Sequence, residues 1–304
     1  MRDPGGRRPD AFGYSADLLG FTESAFALLR DLIAKQTGVF FGNDKRDLLA
    51  DKLADLVAAH GMTSFLDYYY LLRYDTDAER HWAELADRLA VPETYFWRQA
   101  DQLLALADVV APRHFARRSG APLRIWSAAC CTGEEPISIA IALAEAGLLD
   151  GRPVNIVASD ASGAMVDRAR RGLYGERSFR TLPPRLRERW FRETESGWRV
   201  DPDLHARVRW SVANLVDATA VRPFAASDVI FCRNVFIYFS DETITQVARV
   251  LADGMPDDGV LFLGAPESLS RLPTDFELAE IGGAFAYVKG GAGRGAGTRA
   301  RSDG

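Results

Sequence analysis

The pattern of apolar and polar positions changes character once along the chain, at Val91-Pro92. Before that point apolar residues recur at three- and four-residue spacing, the period of helices with one buried face. Thr22 is placed to cap a first helix running to about Gln36, with Gly38 just beyond it. Asn43 or Asp44 opens a second, with Leu48, Leu49, Leu53, Leu56 and Val57 on one stripe and Gly61 after it. Ser64 opens a third, with Phe65, Leu66, Tyr68, Tyr69 and Leu72, and Asp77 a fourth, with Trp82, Leu85 and Leu89. Helices with one apolar stripe each can bury one another as a small bundle.

Beyond Pro92 short apolar runs alternate with amphipathic ones. One more helix is expected over 101–118, then strands at 124–129, 155–160, 208–214, 228–233 and 260–264. Between them lie helices at 134–146, from Ser162 to Arg171, and from Ser240 to about Asp253. The segments flanking Gly282-Gly283 read as a closing hairpin. Strands alternating with helices imply a parallel sheet, and the hairpin adds an antiparallel edge. The alternation breaks between Pro183-Pro184 and Arg209, where a small antiparallel β-subdomain is expected at about 185–210. The reading is therefore α/β. A disordered segment 1–19 leads to a helical domain 20–90, a sheet domain 91–289 and a disordered tail 290–304.

Composition narrows the classes. The 304 residues are 47% apolar with a net charge of −5, ordinary for a globular chain with a sizeable core and unlike a duplex binder. The least charged stretch, 136–149, still holds Glu145 and is too short to span a bilayer, and MRDPGGRRPD has no apolar signal region. Cys130, Cys131 and Cys232 do not form a disulfide framework or a zinc spacing, so a reducing cytoplasm is expected and no metal. His60, His81, His114 and His205 read as surface or packing residues.

In an open α/β sheet, ligands sit beyond the carboxyl ends of the strands. The first such end here is AACCTGEEP, 128–136. Small residues and Gly133 suit close approach of a ligand to the backbone, but the G-x-G-x-x-G phosphate cradle is missing. Glu134 and Glu135 would repel a pyrophosphate and suit a cationic centre, which disfavours a nicotinamide dinucleotide and favours S-adenosylmethionine. Asp160, ending the second strand, is placed to accept bonds from ribose hydroxyls. Asn214 ends the third strand, and Arg233 and Asn234 end the fourth. PETYFWRQ, 92–99, lies at the junction of the two patterns, where Arg98 can serve packing or grip a carboxylate.

Taken together, TYFWR (94–98), SAACCTGEEPIS (127–138), ASD (158–160), ARRGLY (169–174), NL (214–215), FCRNVFIYF (231–239) and LGAPESL (263–269) resemble the CheR family of methyltransferases. The resemblance runs in order over roughly 20–289 and implies an all-helical N-terminal domain, then a Rossmann-like class I methyltransferase domain with an inserted β-subdomain. It implies a monomeric, cytoplasmic protein-glutamate O-methyltransferase that esterifies glutamates on the cytoplasmic domain of a chemoreceptor, with no nucleic-acid partner and no membrane insertion. A related reading is a CheR-like transferase or cofactor-binding signalling module with a non-chemotaxis partner. By position, Thr94, Arg98, Glu135, Asp160, Asn214, Leu215, Arg233 and Asn234 would line the S-adenosylmethionine site, and Arg98 and Tyr238 would lie near the transferring methyl. Pro92, Cys131, Ile137 and Ala265-Pro266 depart from the family pattern. Residues 22–90 carry 8 basic and 12 acidic residues, so receptor docking is expected on the Arg-rich insertion rather than on the helical domain.

Overall fold

The structure, a computed structural model, describes residues 21–290. The disorder expected at 1–19 and 290–304 falls, but for Gly290, outside the described residues. The chain divides into two compact units between Leu89 and Ala90.

The first unit holds α1 (Glu23–Thr37), α2 (Arg46–Ala59), α3 (Phe65–Tyr74) and α4 (Ala78–Leu89). The Thr22 hydroxyl accepts the Ala25 N–H at 3.2 Å, and Gly38 stops α1 in the left-handed conformation. Ser64 caps α3 in the same way. Phe26, Leu29, Ile33, Leu49, Leu53, Phe65 and Tyr68 form the core of the unit. Two residues expected in the stripes face outward, Leu48 and Leu66; Ala50 takes the buried place beside Leu49, because the stripe of α2 is set by 49, 53 and 57. His60 and His81, expected to be scattered, meet edge to face at 4.8 Å between ring centroids.

The second unit opens with α5 (Ala100–Ala105), which passes through one π-turn at Leu106–Val110 into α6 (Ala111–Arg117). The remaining elements alternate: β1 (Leu123–Ala128), α7 (Glu134–Glu145), β2 (Val154–Asp160), α8 (Gly163–Arg171), β3 (Leu173–Tyr174), α9 (Pro184–Trp190), β4 (Phe191–Thr194), β5 (Gly197–Val200), α10 (Pro202–His205), β6 (Val208–Val212), α11 (Ala218–Ala225), β7 (Val229–Cys232), α12 (Asp241–Gly254), β8 (Val260–Leu263), β9 (Phe276–Ile281) and β10 (Ala284–Lys289). The main sheet has the order β6-β2-β1-β7-β8-β10-β9. It is parallel from β6 to β8, and β10 runs antiparallel to β8 and β9. The two faces follow the strand period. Ile125, Phe231 and Phe262 pack with α5 and α7, whereas Trp126, Ile230 and Leu261 pack with α11 and α12.

The small sheet, order β3-β5-β4, starts at Leu173, upstream of the expected 185. Its first strand is only two residues long, too short to show a period, and it forms by pairing Leu173 and Tyr174 with Arg199 and Trp198. Helix α11 was not legible in the sequence; it is short and carries Pro223, and Asp217 starts it by accepting the N–H groups of Thr219 and Ala220. The strand order reverses direction at β1, which lies between β2 and β7. The carboxyl ends of β1, β2, β6 and β7 therefore form the crevice where such sheets bind ligands.

At the opposite edge, the buried Asp228 carboxylate accepts the Arg124 N–H at 2.9 Å and pairs with the guanidinium groups of Arg118 and Arg124. Both arginines are partly solvated, which limits the value of the pairs, but the carboxylate is not. Asp228→Ala is expected to cost about 1–3 kcal/mol in urea unfolding while leaving cofactor binding intact. A change below about 0.5 kcal/mol would show that β1 and β7 do not depend on it.

Candidate active site

The turn from β1 to α7 takes left-handed backbone at Ala129, Cys131 and Gly133. This folds the turn tightly enough that the Cys130 N–H donates to the Ser159 carbonyl and the Cys131 N–H to Asp160 Oδ2, both at 2.9 Å. Asp160 Oδ1 accepts the Ser162 N–H, and the Asp160 carbonyl accepts the Ala213 N–H. One aspartate thus ties together the ends of β1, β2 and β6. Gly133 has a reason other than the expected approach of a ligand: a Cβ there would stand 2.8 Å from the Trp210 ring and 2.9 Å from Ala169 Cβ. The glycine lets α7 pack on α8 and β6.

The two glutamates do not face a ligand as a free anionic pair, which corrects the sequence expectation. Glu134 is buried and accepts the hydroxyls of Thr132 and Ser178 at 2.6 and 2.8 Å. Burial pushes its pKa up, and the two hydroxyl bonds oppose the shift. Glu135 accepts the Ser127 hydroxyl at 2.7 Å and forms an ion pair with Arg233 at 2.6 Å. The Arg233 side chain is 2% exposed. Its Nη1 donates to the Arg98 carbonyl at 2.9 Å and to Gln102 Oε1 at 3.1 Å, and Gln102 in turn donates to the Leu263 carbonyl. Glu135 and Arg233 form one neutral, hydrogen-bonded pair joining α7, the end of β7, α5 and the 92–99 segment.

That segment is held under local strain. Trp97 and Gln99 both have positive φ. The Phe96 N–H donates to the Ser178 carbonyl, the Thr181 hydroxyl to the Phe96 carbonyl, and the Trp97 N–H to the Ser138 hydroxyl. The buried Phe96 ring packs among Tyr174, Phe179 and Phe191. Arg98 is left half-buried, donating to the Glu93 carbonyl at 3.0 Å and lying 5.3 Å from the Tyr95 ring centre. Thr94 is half-buried in the same segment.

Beyond β7, Asn234 takes left-handed backbone. Glu267 collects the N–H groups of Asn234 at 2.8 Å, Gly264 at 2.6 Å and Ile237 at 3.3 Å. A Cβ at 264 would stand 2.6 Å from Asn234 Nδ2 and 2.7 Å from Glu267 Oε2, so a side chain there would have to displace both. Tyr238 ends the following turn, and burial raises its hydroxyl pKa against the opposing charge of Arg98. Asn214 starts the turn after β6, its Oδ1 accepting the Val216 N–H, whereas the Leu215 side chain is buried against Trp126 and Phe236 and serves the core.

Four residues in this network escaped the sequence reading. Glu267 and Ser127 lie within the motifs that carry the family resemblance, and Gln102 lies within the helix expected over 101–118. Arg180 lies 3.6 Å from the Tyr95 ring centre and pairs with Glu93. No local pattern marks a contact between residues so far apart in the chain. A cavity of about 720 Å³ beside Arg113, Arg118 and Asp228 opens at the amino ends of the strands, and none of the expected site residues lines it.

The chemistry of the donor set fits S-adenosylmethionine. Asp160 offers carboxylate oxygens at the carboxyl end of β2, suited to ribose hydroxyls, and no phosphate cradle is present among the described residues of the β1 turn. Glu267→Ala should remove the acceptor for three backbone N–H groups and release the Asn234 turn. Cofactor affinity by calorimetry is expected to fall at least about tenfold with the melting temperature nearly kept. Unchanged affinity would show that the turn holds its shape without Glu267.

Comparison with known proteins agrees with this arrangement. Residues 92–284 match the family described as CheR methyltransferase, SAM binding domain, and residues 24–90 match CheR methyltransferase, all-alpha domain. The chain is similar to chemotaxis protein methyltransferase 2 of Vibrio cholerae, 33% identical over 88% of this chain and 93% of that protein. It is similar to the chemotaxis protein methyltransferase of Escherichia coli, 34% identical over 86% and 90%. A probable biofilm formation methyltransferase of Pseudomonas aeruginosa, WspC, is 35% identical over 72% of this chain and 52% of that protein. A helical unit followed by a parallel sheet whose crevice is closed by Asp160, Glu135–Arg233 and Glu267, matched over both units, makes this chain a member of the CheR methyltransferase family.

Proposed function

We propose that this chain transfers a methyl group from S-adenosylmethionine to glutamate side chains on the cytoplasmic domain of a chemoreceptor, acting as a monomer in the cytoplasm. The observation that carries the reading is the placement of Arg98. Its carbonyl accepts from the buried Arg233 just beyond β7, and its half-buried guanidinium donates to the Glu93 carbonyl and lies beside the Tyr95 ring.

A glutamate carboxylate is already ionised at pH 7, so its attack on a methyl group needs no general base. Bound S-adenosylmethionine would supply that methyl on a positively charged sulfur. Asp160 would hold its ribose, and the turns at 129–133, 214–215 and 233–234 would surround it. The protein's part is orientation and partial removal of water. Arg98 holds one carboxylate oxygen by hydrogen bonds while the other attacks. The Tyr238 hydroxyl, kept protonated by its raised pKa, donates to the same group. One carbon–oxygen bond forms, one carbon–sulfur bond breaks, and no proton is exchanged. The Cys131 thiol does not compete for the methyl, because burial and the neighbouring Asp160 push its pKa up to about 12.

Receptor docking is assigned to the small sheet and its flanks. Several of the arginines there already have partners: Arg185 and Arg189 pair with Glu145, and Arg187 with Glu176. Arg192 and Arg199 are exposed and bond backbone carbonyls. The similarity to WspC supports a second reading, the same transfer to a receptor outside chemotaxis.

The test is incubation with methyl-labelled S-adenosylmethionine and a panel of receptor cytoplasmic fragments. Base-labile label on glutamates of a chemoreceptor is expected; label on none of them, or only on a non-chemotaxis receptor, contradicts the first reading. Arg98→Ala should lower turnover by about 100-fold with the fold intact by circular dichroism, and near-wild-type turnover would remove it from the site. Asp160→Ala should weaken cofactor binding by at least about tenfold, measured by calorimetry.

A further inference from the structure

We propose that the helical unit carries a divalent transition-metal site, of the kind zinc occupies, built from His60, His81 and Glu84. The Glu84 carboxylate and one ring nitrogen from each histidine all lie within 4.8 Å of one another. His60 follows the last turn of α2, and His81 and Glu84 stand three residues apart on one face of α4. A metal there would join the end of one helix to the middle of another.

His81 is the telling residue. It is 3% exposed, and its Nδ1 is buried with no hydrogen-bond partner. A buried imidazole nitrogen without a partner is costly in a packed core. The other nitrogen is accounted for, since Nε2 lies 3.3 Å from Asp75 Oδ1. That carboxylate fixes the proton on Nε2 and leaves the lone pair on Nδ1, the arrangement in which an outer carboxylate orients a metal-binding histidine. Asp75 is itself held by the Asp77 N–H at 2.7 Å.

The other donors agree. His60 Nε2 lies 2.9 Å from Glu84 Oε2, and Glu84 Oε1 is turned toward Arg80 at 3.7 Å. Tetrahedral ligands at 2.0–2.1 Å from zinc stand roughly 3.3 Å apart, so the 2.9 Å pair needs to open by a few tenths of an ångström and the widest pair to close by about 1.5 Å. Those are side-chain rotations. The Tyr68 hydroxyl is also buried without a partner, and its ring centre lies 6.1 Å from that of His60. Two imidazoles and one carboxylate, with a fourth position for water, suit zinc better than the oxygen-seeking calcium or magnesium. The site would stabilise the unit and would take no part in methyl transfer.

The test uses the full chain, stripped with a chelator and titrated with zinc chloride by calorimetry, alongside thermal melts and the absorption spectrum of the cobalt form. One zinc per chain is expected, with a raised melting temperature and a cobalt spectrum free of thiolate bands. His60→Gln and Glu84→Gln change partly exposed side chains, so the unit should still fold by circular dichroism; both should lose the stoichiometric binding and the thermal shift. Asp75→Asn should weaken zinc by about tenfold, and His114→Gln should leave it unchanged. Absence of stoichiometric zinc, a thiolate band, or equal binding in the His60 and Glu84 variants would overturn the proposal.

Discussion

The buried pair between Glu135 and Arg233 is the contact on which the rest of the site depends. A guanidinium with a 2%-exposed side chain carries a heavy desolvation cost, and one carboxylate does not satisfy all of its donors. The Arg98 carbonyl and Gln102 accept further bonds from Arg233, and the Ser127 hydroxyl donates to Glu135. Removing either partner would leave the other as an unpaired charge inside the sheet. The pair consequently fixes where α7 begins, how the chain leaves β7, and where the 92–99 segment lies against both.

That constraint explains the division of labour around the crevice. Asp160 gathers the ends of β1, β2 and β6, and Glu267 gathers the turn beyond β7. Both carboxylates accept backbone N–H groups, and the Asp160 carbonyl accepts the Ala213 N–H at the end of β6, so the turns are set by hydrogen bonds. Left-handed backbone at Ala129, Cys131 and Asn234 and positive φ at Trp97 and Gln99 are the conformational cost of this arrangement. Membership in the CheR methyltransferase family gives the fold its cofactor, S-adenosylmethionine.

Much of this architecture was legible in the residues. A serine or threonine just ahead of a helical stretch marks Thr22, Ser64, Ser162 and Ser240 as helix starts, and each accepts a backbone N–H in the structure. The alternation of strands and helices gave the parallel sheet and its antiparallel end. The parts that escaped share one physical cause: they depend on contacts between distant segments. The two-residue strand β3 exists only through Arg199 and Trp198, and the partnership of Glu135 with Arg233 spans nearly a hundred positions. A run of two acids looked like a surface for a cation because sequence does not show an arginine arriving from another strand. His60 and His81 looked scattered for the same reason, since only the fold of α2 against α4 brings them together.

The central claim is that Glu135 and Arg233 act on the cofactor site as one unit. A double-mutant cycle with Glu135→Gln and Arg233→Met, read as S-adenosylmethionine affinity by calorimetry, tests it most directly. The account predicts that each single change weakens binding at least about tenfold, and that the double variant is no worse than the poorer single one. Losses that simply multiply in the double variant would contradict it.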